Sequence, residues 1–408
     1  MSTRYDVIVI GAGAAGVHAA GALAEGGLRV AVVEREPVAV SASGCSDTGQ
    51  EAWLADHGID LLHGSGRLAG PCAVEVDGAG HTTNHVVLAT GAEPIIPPIR
   101  GLRELDGVWT SREATGMKVA PRRLLVLGAG RVGVELAQAV RLLGGEVTLI
   151  ERSARVLPRE PEQLGEALGA ALRRDGIELV LGTRASAARR DGDDCILAFG
   201  DGRELRGDRV LVAAGRRPRV NGIGLETLRM VPDARGIPVD AHLSVGQSLW
   251  AIGSVTGIRP LTHVGRLQAR IVAANILGEP CEARYEAVPR LTFTHPRAAA
   301  VGATEDRFAA TVRPADVARA ATDMRASAES DDYLTLLSDG ERLTGAHALG
   351  AEAGEWIAQA SLATGARVPL DVLTGAMPPF PTSSDTYLGA LKTLRSEIAP
   401  LRSRSRRS

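Results

Sequence analysis

One segment pattern occurs twice in this chain. Asp6 to Ile10 is a short β-branched run that ends in Gly11-Ala12-Gly13-Ala14-Ala15-Gly16 and passes into an alanine-rich helical stretch. The chain then turns at Gly26-Gly27 and continues as the apolar run Val30 to Val33, closed by Glu34. The same succession starts again 117 residues later: Leu124 to Leu127, Gly128-Ala129-Gly130-Arg131-Val132-Gly133, a helical stretch, Gly144-Gly145, Val147 to Ile150 and Glu151. From first glycine to closing acid is 23 residues in both copies. A repeat of a whole supersecondary unit decides architecture before any other signal. This one reads strand, tight turn, helix, strand, which is the building block of an open α/β sheet.

The spacing carries a specific chemistry. The first glycine makes the tight turn out of the strand, the second lets backbone approach a pyrophosphate, and the third lets helix pack on sheet. The helix N-terminus then faces the phosphates, and an acid about 20 residues on accepts the ribose hydroxyls. A single glycine pattern of this kind is often just a tight turn, but two copies, each with its acid in register, read as two dinucleotide sites. Gly11, Gly13, Gly16 and Glu34 belong to the first, and Gly128, Gly130, Gly133 and Glu151 to the second. Glu151 suits a free 2′-hydroxyl and repels a 2′-phosphate, so NAD(H) is expected in preference to NADP. The adjacent Arg152 softens that preference.

Three more apolar runs end in glycine turns: Val86 to Thr90 before Gly91, Val210 to Ala214 before Gly215-Arg216-Arg217-Pro218, and Leu249 to Ile252 before Gly253. Ala89-Thr90-Gly91, the stretch from Gly215 to Glu226, Leu261-Thr262-His263-Val264, Thr294-His295-Pro296 and Val301-Gly302-Ala303-Thr304-Glu305 add to them. With both fingerprints, these residues resemble the pyridine nucleotide-disulfide oxidoreductases, and within that family the lipoamide dehydrogenase and mercuric reductase branch. The resemblance covers nearly the whole chain. It implies an α/β fold with two Rossmann-like dinucleotide-binding domains and a C-terminal α+β dimerisation domain. An FAD domain is expected over 1–117 and 240–284, an NAD(P) domain over 118–239, and an interface domain over 285–396 that makes a homodimer. The basic end, 397–408, reads as disordered. Cofactor-binding residues on this reading are the two loops with their acids, together with Thr90, Gly91, Gly215, Gly253 and Ser254.

Departures from the family pattern bear on chemistry. The family carries a pair of redox cysteines on a helix beside the flavin, then a lysine and a second long helix. Here only 38 residues separate Glu34 from Cys72, and one cysteine, Cys45, stands between them. The coenzyme A-disulfide reductases and NADH peroxidases carry a single cysteine in about this place. Cys45 lacks their flanking residues, so an inert thiol is the favoured reading and an active one the alternative. Phe380-Pro381-Thr382-Ser383-Ser384-Asp385 stands where the family's motif begins with histidine and ends with glutamate, the pair that serves dithiols as acid and base. Phenylalanine carries no exchangeable proton, and Asp385 is expected to cap a helix or stand as solvated charge. Ser254 replaces the family's ribityl-binding aspartate, a loss of about tenfold or more in FAD affinity. Glu135 matches the acid that pairs with the flavin-side lysine; without that lysine it needs a new partner or a raised pKa if buried. Catalytic residues are left unassigned, with Cys45, Glu135 and His263 as candidates. His18 reads as structural, and His295, before Pro296, as extended or turn backbone.

Composition narrows the partners. Lys and Arg number 46 against 48 Asp and Glu, a formal charge of −2, so no nucleic-acid partner is expected. The four cysteines, at 45, 72, 195 and 281, show no metal-ligand spacing, and no metal is expected. The apolar stretch Val7 to Ile10 is too short for a signal segment or a membrane span, which points to a cytoplasmic protein with no membrane partner. Two function classes remain for a small-molecule substrate. One is a flavoprotein oxidoreductase that takes hydride from NADH onto FAD and passes electrons to a non-disulfide acceptor. The other is a non-redox enzyme, catalysing cyclisation, isomerisation or dehydration in the space vacated by the disulfide helix. The intact second fingerprint favours the first.

Overall fold

The computed structural model describes residues 4–36, 47–314, 331–379, 382 and 384–405; Cys45, Phe380, Pro381 and Ser383 lie outside them. The chain divides into two compact units, Met1–Glu93 with Arg216–Arg284, and Pro94–Gly215 with Tyr285–Ser408.

The first unit is built on an eight-stranded sheet. Five of its strands are parallel, in the order Asp60–His63, Val30–Glu34, Arg4–Ile10, Ala79–Leu88, Leu249–Ala251. Val7, Ile8, Val9 and Ile10 are all buried, as a parallel sheet covered on both faces requires. Helix Ala14–Glu25 makes the crossover between strands Arg4–Ile10 and Val30–Glu34 and packs on helix Thr262–Ile276. Gly265 permits that approach: a Cβ there would stand 3.1 Å from the Ala15 Cβ. Strand order reverses beside Arg4–Ile10, so the crevice at its carboxyl end is the switch point where α/β sheets bind ligands.

The second unit repeats this plan. Glu178–Leu181, Glu146–Glu151, Arg123–Leu127, Arg209–Val212 and Val108–Trp109 form a five-stranded parallel sheet in the corresponding order. Helix Arg131–Leu142 makes the crossover. The duplication seen in sequence thus extends to the connectivity of four strands; the fifth, Leu249–Ala251, is last in chain order in its sheet, whereas Val108–Trp109 comes first in its own.

Within the same unit, a five-stranded antiparallel sheet runs Arg290–Thr292, Arg297–Gly302, Leu343–Gly350, Tyr333–Ser338, Phe308–Val312. Helices Ala353–Gly365, Leu370–Thr374 and Ser384–Ser405 complete this α+β portion. Its Ala298, Ala300, Tyr333 and Leu349 share one apolar cluster with Val134 and Leu164 of the nucleotide fold. Arg290 Nε donates to both oxygens of Glu160 at 3.0 Å, with the two side chains only 15% and 17% exposed. The antiparallel sheet is therefore one body with the second nucleotide fold.

The unit boundaries differ from those expected at 117/118 and 239/240. Residues 94–117 join the second unit because Val108–Trp109 supplies its edge strand, with Val108 opposite Val210. Residues 216–239 return to the first, where Val220, Ile223, Leu225 and Ile237 are buried with Tyr5 and Ile8. The tail expected to be disordered from 397 begins instead as helix: Ser384–Ser405 runs through that point, and its Ile398 is only 4% exposed.

Candidate functional site

The two glycine loops have the same backbone. Gly11 has φ +113° and Gly128 φ +109°, a region open to glycine, and each turn carries the chain off its strand. A Cβ at Gly11 would strike the Ala89 carbonyl, and one at Gly128 the Ala213 carbonyl. At the third glycines, Gly16 and Gly133, a Cβ would overlap the carbonyl oxygen of the loop's first glycine. The middle glycines behave differently. Gly13 and Gly130 stand at the N-caps with φ −68°, ψ 174° and φ −72°, ψ 176°, and a Cβ on either would meet nothing within 4 Å. Neither helix has a side-chain cap or an acid in its first turn. Uncapped N–H groups beside open space at the positive end of a helix fit an approaching phosphate.

The closing acids also match. Glu34 Oε2 accepts from Ala12 N at 2.8 Å, and Glu151 Oε2 accepts from Ala129 N at 2.8 Å. The second oxygens are held by backbone just downstream: Glu34 Oε1 by Arg35 N and Glu36 N, Glu151 Oε1 by Ser153 N. Each carboxylate therefore ties its strand end to the middle of its loop, a structural task that sequence spacing alone does not reveal. Carboxylate oxygens keep further acceptor capacity for ribose hydroxyls. Glu151 is 7% exposed.

Around the first loop, Thr90 Oγ1 donates to the Arg219 carbonyl at 2.8 Å, and Gly91, at φ +73°, accepts from Arg219 N. Gly253 opens a short 3-10 turn, Gly253–Thr256, at the foot of helix Thr262–Ile276, and Ser254 is half-buried within it. Gly253 N donates to Gln268 Oε1 at 2.6 Å; Gln268 is fully buried. This glutamine was missed in the sequence, although a glutamine in the buried register of that helix, beside Val264, Gly265 and Ala269, is the signal that marks it. His263 is exposed in the first turn of the helix, and His18 is exposed on the other, its pKa lowered by desolvation and by Arg266 and Arg270. Gly215, at φ +124°, belongs to the second unit and accepts from Ile95 N at 3.0 Å.

Glu135 has found a new partner. It is half-buried on helix Arg131–Leu142, its Oε1 accepts from Phe293 N at 2.9 Å, and burial raises its pKa. Three residues on, Gln138 clamps the His295 backbone, accepting from its N and donating to its carbonyl, both at 2.7 Å. Glu135 and Gln138 thus share one helix face and hold an extended segment that leaves Phe293 and His295 exposed. Asp385 stands in the first turn of its helix, and its Oδ2 accepts from Thr382 N, just before the helix, at 3.3 Å. Cys195 is fully buried on its strand, Cys281 is exposed, and Cys72 is half-buried in the turn after Gly66–Gly70. Cys45 lies outside the described residues.

Residues 5–269 match the family model "Pyridine nucleotide-disulphide oxidoreductase", and residues 288–390 that family's dimerisation domain. The chain belongs to this family. Among its relatives, a dihydrolipoyl dehydrogenase of Thermus scotoductus is 32% identical over 358 residues, covering 84% of this chain and 77% of that protein. Dihydrolipoyl dehydrogenase 3 of Pseudomonas aeruginosa is 31% identical, covering 94% and 97%, and a mercuric reductase of Streptomyces lividans 33% identical, covering 85% and 76%. The flavoprotein disulfide reductase RclA of Escherichia coli has the same fold, with a TM-score of 0.82 at 24% identity over 95% of this chain and 99% of that one. Pyridine nucleotide-disulphide oxidoreductases are FAD-dependent and use NAD(P)H, so the chain is placed among flavin oxidoreductases. Among the described residues no helix is long and apolar enough to cross a membrane.

Proposed function

We propose that this family member is a homodimeric oxidoreductase that binds FAD at the Gly11–Glu34 loop and NADH, in preference to NADPH, at the Gly128–Glu151 loop, and delivers electrons to a small-molecule acceptor other than a disulfide. The observation that carries this reading is the duplicated cradle: two uncapped helix starts, two Cβ-free approaches and two acids bonded to the loop amides at the same distance. FAD, when bound, supplies a two-electron carrier that accepts hydride from NADH. The chain's own residues do the rest. Loop amides neutralise phosphate charge, and Glu34 and Glu151 accept ribose hydroxyls. Glu151 sets buried negative charge where NADPH would bring a phosphate. Ser254 offers the flavin chain a hydroxyl contact in place of a carboxylate, which weakens retention.

The acceptor is inferred from the thiols. Reduction of a disulfide by the family's dithiol route needs an attacking thiolate, a second thiol to resolve the mixed disulfide, and an acid for the departing sulfur. Cys45 can supply the first. Cys195 is sealed in a strand, and Phe380 stands where the resemblance puts the family's histidine. The test is NADH consumption by the purified holoenzyme with lipoamide, glutathione disulfide, coenzyme A disulfide and a benzoquinone. Turnover with the quinone alone, unchanged in Cys45→Ser, is expected; disulfide turnover that vanishes in Cys45→Ser would refute the reading.

A further inference from the structure

The two cradles differ at one chemically telling position. Helix Ala14–Glu25 begins with an alanine, whereas Arg131–Leu142 begins with an arginine. A cation at the first helical position sits against the positive end of the helix dipole, where carboxylates are favoured, and no acid in that first turn offsets it. Arg131 is half-buried and makes no hydrogen bond or ion pair among the described residues. Glu135, one turn on, attracts Arg131 at longer range but gives its hydrogen bond to Phe293 N. Arginine ahead of glutamate is in any case the weaker order for such a helical pair. A half-buried arginine with no hydrogen-bonded counter-ion among the described residues, set against the positive end of its own helix, is an arrangement that a bound anion relieves. Gly130, its immediate neighbour, borders the open space of the loop.

We propose that Arg131 is a cofactor-binding residue peculiar to the second site, its guanidinium closing on the pyrophosphate of the nicotinamide dinucleotide. It adds charge-assisted hydrogen bonds to those of the loop backbone, a contribution Ala14 cannot make at the first site. The inference rests on the Gly128–Glu151 loop being the nicotinamide dinucleotide site.

Calorimetric titration of the holoenzyme with ADP-ribose, which carries the pyrophosphate but no nicotinamide, tests it. Arg131→Ala should weaken binding about tenfold, the worth of one charge-assisted contact, and Arg131→Lys by less. Wild-type binding should fall more steeply with salt than that of Arg131→Ala. The Tm without ligand should stay level or rise in Arg131→Ala, because a repulsive placement is removed; a merely structural arginine would lower Tm and affinity together, and that result overturns the proposal. Equal affinity in wild type and Arg131→Ala overturns it while leaving the site reading intact. Absence of ADP-ribose binding by wild type overturns both.

Discussion

Gly130→Ala separates cofactor binding from folding. Gly130 has φ −72° and ψ 176°, a conformation that any L-residue adopts, and an added Cβ meets no protein atom within 4 Å. Loss of unfolded-state freedom should raise stability by about 0.4–1 kcal/mol. The same methyl group occupies the space through which the loop amides approach the pyrophosphate. Displacing one charge-assisted hydrogen bond costs about 1.5–3 kcal/mol, so NADH should bind about tenfold weaker or worse. Gly133→Ala is the contrast. Its Cβ would overlap the Gly128 carbonyl oxygen, and Gly128 is itself tied to the sheet through its N–H to the Ile150 carbonyl at 2.8 Å. Helix and strand must then move apart, an overpacking cost of about 1–3 kcal/mol or more. Thermal melting with and without NADH, beside a direct NADH titration, reads both quantities. Gly130→Ala should melt no lower than wild type and show a smaller ligand-induced rise in Tm, while Gly133→Ala should melt lower even without ligand. Wild-type NADH affinity in Gly130→Ala would refute the assignment of that loop to a pyrophosphate.

Three further outcomes are expected. Ser254→Asp should tighten FAD retention about tenfold, measured as flavin remaining after gel filtration, because a carboxylate replaces a hydroxyl contact; unchanged retention would show that the weakness lies elsewhere. Glu151→Gln should narrow the preference for NADH over NADPH in paired titrations by removing buried negative charge, and an unchanged ratio would contradict the role given to that acid. His347, 4% exposed with its pKa lowered to about 4 by burial, is neutral in the fold, beside Tyr333 Oη at 3.3 Å. The unfolded chain takes up its proton near pH 6.5 and the folded one only near 4. Stability should therefore be lost as pH falls across that window, by about 3 kcal/mol in all, and His347→Phe should flatten this acid limb in chemical denaturation.

The cradles were legible in the sequence because they are local. Each loop, helix and acid lies within 23 residues, and the third glycine of each follows from a contact inside that span, although the first is demanded by a carbonyl of a distant strand end, Ala89 or Ala213. The unit boundaries were not, because they depend on pairings across the chain: Val108 stands opposite Val210, and nothing in the short run Val108-Trp109 marks it as a sheet edge. The same holds for Glu135. Its need for a new partner could be read from the missing lysine, but Phe293, 158 residues away, could not be named. The helix through Ser405 was hidden by the arginine and serine content of the tail, which outweighed the apolar Ile398 that anchors it. Arg131 was visible as a letter inside the second fingerprint, but that it makes no hydrogen bond or ion pair among the described residues is a fact of three dimensions.

The central claim is that one chain holds FAD and NADH so that hydride passes between them. It is tested most directly by the visible spectrum of the protein, incubated with FAD and freed of excess, before and after NADH is added without oxygen. The account predicts a bound-flavin absorbance band that bleaches on addition of NADH, and at lower concentrations of NADH than of NADPH. A protein that retains no flavin, or a bound flavin that neither nucleotide bleaches, would contradict it.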